Sequence, residues 1–107
     1  MKATTITNAG ACGFTTTAVA ECQPGSPTCH LSVETNCPHF AGVAAKLNGA
    51  DLAVADEFDW GKSRVHAAMR ENCTHTACPV PGAIIKAIQV ASGKKPPVDA
   101  KITVRAE

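Results

Sequence analysis

The chain has 107 residues and carries 10 basic against 9 acidic side chains, for a formal net charge of +1. This length fits one domain over residues 1–107, and the balanced charge excludes both an acidic tail and the basic surface typical of nucleic-acid-binding proteins. Three Phe, one Trp and no Tyr leave a core of small aliphatic side chains, whereas six cysteines require a chemical explanation.

Three strands are predicted in the first third of the chain. Residues 3–7 and 14–21 are rich in Thr, Ile and Val, and residues 30–35 alternate apolar with polar side chains. β-branched residues and period-two alternation are both typical of strands. The Gly-containing segment 8–13 and the Pro/Gly segment 23–27 are the predicted turns between them.

A helix is predicted next, because the hydrophobic period changes. Phe40, Val43 and Leu47 recur at i, i+3 and i+7, which is one face of a helix. Asn36 or Cys37 is the expected cap at its start.

Two further helices and a last strand complete the prediction. Residues 50–62 form a connection, either a short helix or a covering loop. Ser63 is the expected cap of a helix over 64–72, and 82–92 has the clearest helical pattern. Residues 98–104 alternate apolar with polar side chains and predict a strand with one face in water. The order βββαααβ predicts an α+β two-layer sandwich, with a mainly antiparallel four-stranded sheet and about three helices on one face.

The alternating direction of these elements sorts the cysteines between the two ends of the sandwich. If the connection over 50–62 adds no reversal, Cys22 and Cys29 flank a turn at one end. The other end then collects four cysteines and a histidine: Cys12, Cys37, Cys73, His75 and Cys78.

The surroundings of these four cysteines favour metal binding. Cys37 and Cys78 precede prolines at helix starts, where backbone amides stabilise a thiolate, so the pKa of a cysteine there is expected to fall. A glycine turn around Cys12 can form an anion-binding nest, and Cys73 at a helix end needs a compensating cation. The sequence therefore predicts a Cys₄ site, or a Cys₃His site with His75, for an iron–sulfur cluster or zinc.

Two alternative roles for the cysteines stay open. A thiol-dependent redox enzyme would use Cys37 or Cys78 as nucleophile and His75 as base. An interaction domain would only bury its cysteines as small apolar side chains. Cys22 and Cys29 could pair across their hairpin, but they are expected to remain unpaired in a reducing cytosol.

The location and partners are constrained mainly by what the sequence lacks. The first residues show no apolar signal region, and no apolar run approaches the ~20 residues of a membrane span. A cytoplasmic protein without membrane or nucleic-acid partners is therefore predicted. A small core makes association plausible, so a protein partner or a homo-oligomer is kept open. Nucleotide-binding and hydrolase fingerprints are missing.

Three motifs resemble a small family of uncharacterised single-domain proteins associated with anaerobic bacteria and archaea. They are Cys12-Gly13-Phe14, Cys37-Pro38 and the run from Cys73 to Pro81. The resemblance covers nearly the full chain and implies no assigned activity, although an anaerobic setting would favour iron–sulfur or thiol chemistry. It singles out the same site residues, Cys12, Cys37, Cys73, His75 and Cys78, and leaves out Cys22 and Cys29.

Overall fold

The structure, a computed structural model, describes residues 1–107. One antiparallel sheet has the strand order β1-β2-β3-β4, formed by Lys2–Asn8, Thr15–Cys22, Thr28–Thr35 and Asp51–Ala53. A 3-10 turn covers Gly10–Cys12, and the helices are α1 (Ala41–Leu47), α2 (Val54–Glu57), α3 (Arg64–Asn72) and α4 (Val80–Ala91). The predicted α+β class with a four-stranded antiparallel sheet is confirmed.

The core lies between one face of the sheet and the helices. Side chains of β2 and β3 alternate strictly, so that Ala20 and Leu31 point inward and are fully buried. Helix α4 packs against β1 and β2, and α1 packs against β3. Ile84 of α4 and Phe40 before α1 are buried in this layer. No helix is sufficiently long and apolar to cross a membrane.

The prediction of a last strand over residues 98–104 is wrong. These residues form no strand, and Val98, Ile102 and Val104 are 74, 75 and 89 % exposed. Alternation of apolar and polar side chains suits a strand, but it does not supply the neighbouring strand that a sheet requires. The fourth strand is instead Asp51–Ala53, inside the connection predicted as a short helix or loop, so the order is βββαβααα.

Strand β4 adds no reversal to the path of the chain. It is antiparallel to β3 and pairs with the first residues of that strand, from Thr28 to His30. It therefore continues in the direction of α1, and α3 then returns toward the opposite end. The connections that carry Cys12, Cys37, Cys73 and Cys78 lie at the end to which β1 and β3 point.

The start of α3 is fixed by two side chains. The Ser63 hydroxyl accepts a hydrogen bond from the His66 amide at 3.2 Å, which confirms the predicted cap. Glu57, at the end of α2, is 2 % exposed and was not expected in this role. Its carboxylate accepts from the backbone amides of Arg64 at 2.8 Å and Val65 at 3.1 Å. Together they satisfy amides that a helix start leaves unpaired.

The predicted cap of α1 is wrong. The helix begins after Phe40, and no side chain caps it. Asn36 is already engaged, because its Oδ1 accepts from the Thr15 amide at 2.9 Å across the end of the sheet. The Cys37 amide donates to the Thr35 hydroxyl at 3.1 Å, which holds the chain in a turn before the helix.

Cys22 and Cys29 form a disulfide, so the expectation that they remain unpaired is wrong. The register of β2 and β3 places them directly opposite each other, with Cα atoms 4.3 Å apart. Both side chains face the core and are nearly fully buried. A reducing compartment disfavours disulfides in general, but this register brings the two side chains together.

Candidate functional site

Four separate segments deliver free thiols to one end of the sandwich. Cys12 ends the 3-10 turn after β1, Cys37 lies between β3 and α1, Cys73 directly follows α3, and Cys78 precedes α4. The first three are close enough to Cys78 to interact with it electrostatically. We call these four residues the cysteine cluster.

The members of the cysteine cluster differ in exposure. Cys12 is exposed, whereas Cys37, Cys73 and Cys78 are half-buried and pack against the edge of the core. Gly13 holds Cys12 at the surface, because it closes the 3-10 turn with a left-handed φ of 73° that favours glycine. The cluster thus has three embedded thiols and one that solvent reaches freely.

Burial raises the pKa of the Cys78 thiol, and the neighbouring thiols of Cys73, Cys37 and Cys12 raise it further. The Val80 amide, at the start of α4, donates a hydrogen bond to Cys78 and acts in the opposite direction. The predicted amide donor is therefore present, but the predicted fall in pKa is wrong for Cys78. Desolvation and mutual repulsion outweigh a single hydrogen bond here.

Two imidazoles lie beside the cluster. His75 stands in the loop between Cys73 and Cys78, and its carbonyl accepts a hydrogen bond from the Cys78 amide at 3.4 Å. Its ring packs on that of His39, with centroids 4.5 Å apart and planes tilted by 51°. His39 comes from the turn before α1, so the two rings connect that turn with the α3–α4 loop.

The donor set suits a thiophilic metal, although its members are not arranged as ligands. No three His, Cys, Asp or Glu side chains converge closely enough to hold a metal ion. Four thiols with adjacent imidazoles are the donors that zinc and iron–sulfur clusters use. Binding would require deprotonation of the thiols and rotation of their side chains toward a common centre.

A groove of about 1460 Å³ opens beside the cluster and was not foreseen from the sequence. We call it the edge groove. The whole of β1 lines one side, residues of α4 line another, and Val98, Ala100 and Ile102 contribute a third. Cys73 and Cys78 also line it. The signal available in the sequence was the alternating C-terminal segment, which the prediction placed inside the sheet.

The comparisons with known proteins identify a family and no activity. The model of a family of unknown function, DUF6951, matches residues 3–104. No curated protein and no solved structure matches the chain. The resemblance to a domain family of unknown function is confirmed, and the chain belongs to the DUF6951 family.

Proposed function

We propose that the protein binds zinc or an iron–sulfur cluster through Cys12, Cys37, Cys73 and Cys78, and serves as an electron-transfer, carrier or accessory module. The observation that carries the proposal is the meeting of four free thiols from four segments at one end of a small domain. Tetrahedral thiolate sites of this composition are typical of both cofactors.

The surroundings of the thiols support this proposal. The Val80 amide already donates to Cys78, and such donors stabilise a metal-bound sulfur and orient it. His75 can replace one thiol, and the exposed Cys12 can close the site from the solvent side. A zinc site would accept the imidazole more readily than an iron–sulfur cluster would.

The same geometry argues against Cys78 as the nucleophile of a thiol enzyme. Reactive cysteines are thiolates near neutral pH, whereas burial and neighbouring thiols keep the Cys78 pKa above its ordinary value. Without a cation, Cys78 is a poor attacking group. Cys37, to which this does not apply, stays open as the nucleophile of a thiol enzyme. A buried-thiol interaction domain is the other alternative, and it is opposed by the exposure of Cys12.

We place the protein in the cytoplasm as part of this proposal. Four of the six cysteines are free, and a thiolate site needs a compartment that keeps thiols reduced. The Cys22–Cys29 disulfide is the opposing observation, since such bonds are uncommon in the cytoplasm. Trapping the thiols in intact cells before lysis, followed by mass spectrometry of this peptide pair, tests the assignment.

The test is metal loading under anaerobic conditions. The protein is purified without oxygen, supplied with zinc or with iron and sulfide, and analysed for metal, acid-labile sulfide and visible absorption. We expect one zinc or one cluster per chain. The four single variants C12S, C37S, C73S and C78S should each lower the metal content, with the largest losses at the half-buried positions.

The matched control is the double variant C22A/C29A, which removes cysteines from the opposite end of the sandwich. It should load metal as the wild type does, provided that circular dichroism shows the native fold. A folded wild-type protein that takes up neither zinc nor iron would overturn the proposal. Metal loading at the wild-type level in all four single variants would do the same.

A further inference from the structure

Strand β1 is an edge of the sheet that nothing pairs. Only β2 neighbours it, and no backbone hydrogen bond joins it to residues 98–104. An open edge presents a row of free amides and carbonyls that templates another strand. The edge groove lies along this strand. The structure therefore has space for a fifth strand beside β1.

The C-terminal segment, residues 98–104, has the pattern of a strand and no partner. Of the seven exposed large apolar side chains, five belong to β1, to the residue before it or to this segment: Met1, Ile6, Val98, Ile102 and Val104. Val98, Ile102 and Val104 share one face of an extended chain, opposite Asp99 and Lys101. The outer edge of β1 and the segment therefore both lack a strand partner, and both expose apolar side chains that pairing would cover.

A series of tight turns leads from α4 into the segment, and no backbone hydrogen bond joins the segment to the β1 of its own chain. The amides of Lys94 and Lys95 both bond to the Gln89 carbonyl, at 2.8 and 3.3 Å. Pro96 and Pro97 then stiffen the chain, and the Val98 amide turns back to the Pro96 carbonyl at 2.9 Å. Residues of the segment and of β1 line the edge groove together but remain unpaired.

We infer that two copies of the chain exchange residues 98–104, each segment pairing with β1 of the other copy as a fifth strand. Exchange satisfies both unpaired elements of each copy and doubles the buried surface through two equivalent contacts. Identical elements exchanged between protomers are a low-cost route to a dimer, and a stiff hinge favours it.

A parallel pairing of residues 98–104 with β1 of the other copy suits the side chains on both faces of the sheet. It places Ala100 beside Ala3 and Ile102 beside Thr5. The side chains of Ala3 and Thr5 point inward and are only half-buried in the single chain. On the outer face it places Asp99 beside Lys2, an opposite-charge neighbour. The apolar face of the segment then enters the edge groove, along the flank of α4.

The test is the oligomeric state of a C12S background, in which the exposed thiol cannot cross-link copies. Sedimentation velocity over a range of concentrations should show a dimer. The added substitution Ile102→Lys should weaken dimerisation by at least about tenfold, since it removes one buried apolar side chain from each contact. Ile102 is exposed in the single chain, so this change leaves the fold intact. Thr103→Lys, on the opposite face, is the matched control and should remain dimeric.

A second measurement shows which surfaces pair. A chain truncated after Pro97 should be monomeric and should bind a fluorescent peptide of residues 97–107, whereas the same peptide carrying Ile102→Lys should not bind. A wild-type monomer at the highest concentrations would overturn the inference. A dimer that survives truncation would overturn it as well, since its contacts would lie elsewhere.

Discussion

The buried carboxylate of Glu57 accepts a hydrogen bond from the Ser63 hydroxyl at 2.9 Å and thereby connects the end of α2 to the start of α3. The same carboxylate receives two amides of α3, from Arg64 and Val65. Helix α3 ends directly before Cys73, so this contact at one end of the helix sets the position of a proposed ligand at the other.

Replacing Glu57 by Ala should destabilise the domain strongly. The change removes the acceptor of the Ser63 hydroxyl, of the buried Val65 amide and of the partly buried Arg64 amide, and we expect a loss of about 3 kcal/mol in the free energy of unfolding. Urea denaturation measures it. Asp56→Ala, at the exposed neighbouring position, is the control and should change stability by less than about 0.5 kcal/mol. Equal effects of the two changes would refute the capping role.

The stability of the metal-free protein should fall at alkaline pH because of Cys78. Its pKa is raised in the folded state, by burial first and by the neighbouring thiols next. The unfolded chain therefore releases this proton at a lower pH than the folded chain does. The free energy of unfolding is unaffected below the ordinary thiol pKa and decreases as pH rises beyond it, through the raised value.

Two measurements check that stability decreases with rising pH because of Cys78. Denaturation of the metal-free protein at a series of alkaline pH values should show the decrease, and C78S should reduce it. Alkylation of Cys78, followed by mass spectrometry, should require a higher pH in the native protein than in the denatured chain. Alkylation at the same pH in both states would contradict the predicted direction.

The disulfide should protect two of the six cysteines from labelling. Native, non-reduced protein should incorporate four equivalents of a thiol reagent after denaturation, and reduced protein should incorporate six. Reduction should also lower the free energy of unfolding, by about 2 kcal/mol for a loop this short. Six equivalents without prior reduction would show that the pair is not joined.

The ion pair between Lys46 and Glu71, 2.8 Å long, should be visible as a salt-sensitive titration. The hydrogen bond from Lys46, and next its charge, lowers the Glu71 pKa. The stabilisation that the ion pair gives to the fold is present above the ordinary carboxyl pKa and is lost as pH falls through the lowered value. An NMR titration should show the lowered pKa in dilute buffer and a return toward the ordinary value in Lys46→Ala or at high salt. A shift that persists in Lys46→Ala would point to another cause.

The sequence predicted those elements whose formation depends on residues close to one another in the chain. The first two strands follow from their β-branched residues and the third from side-chain alternation, and Ser63 caps α3 because its hydroxyl lies next to the amides that it serves. Strand β4 has only three residues, too few to show a period. Glu57 lies six residues before the cap, outside the spacing of a local capping motif.

Two of the wrong predictions, the last strand and the unpaired Cys22 and Cys29, share a physical cause, since both depend on which segments become neighbours. Residues 98–104 alternate as a strand does, but alternation does not supply a strand beside them. The Cys22–Cys29 pair depends on the register of two strands, which the hairpin sequence alone did not fix. The direction of successive elements was sufficient to place Cys12, Cys37 and Cys73 near Cys78, while their role as ligands stays a prediction.

The positions of the cysteines along the chain have a consequence for how the domain holds together. The disulfide closes a hairpin with a sequence separation of only 7, whereas Cys12 and Cys78 enclose β2 to β4 and the first three helices. An ion held by both would cross-link the two ends of a segment that contains nearly every element. Its release would restore the conformational entropy of that long loop. We therefore expect a bound ion to stabilise the whole domain and not one loop alone, so that its removal lowers the free energy of global unfolding of a protein that is already folded.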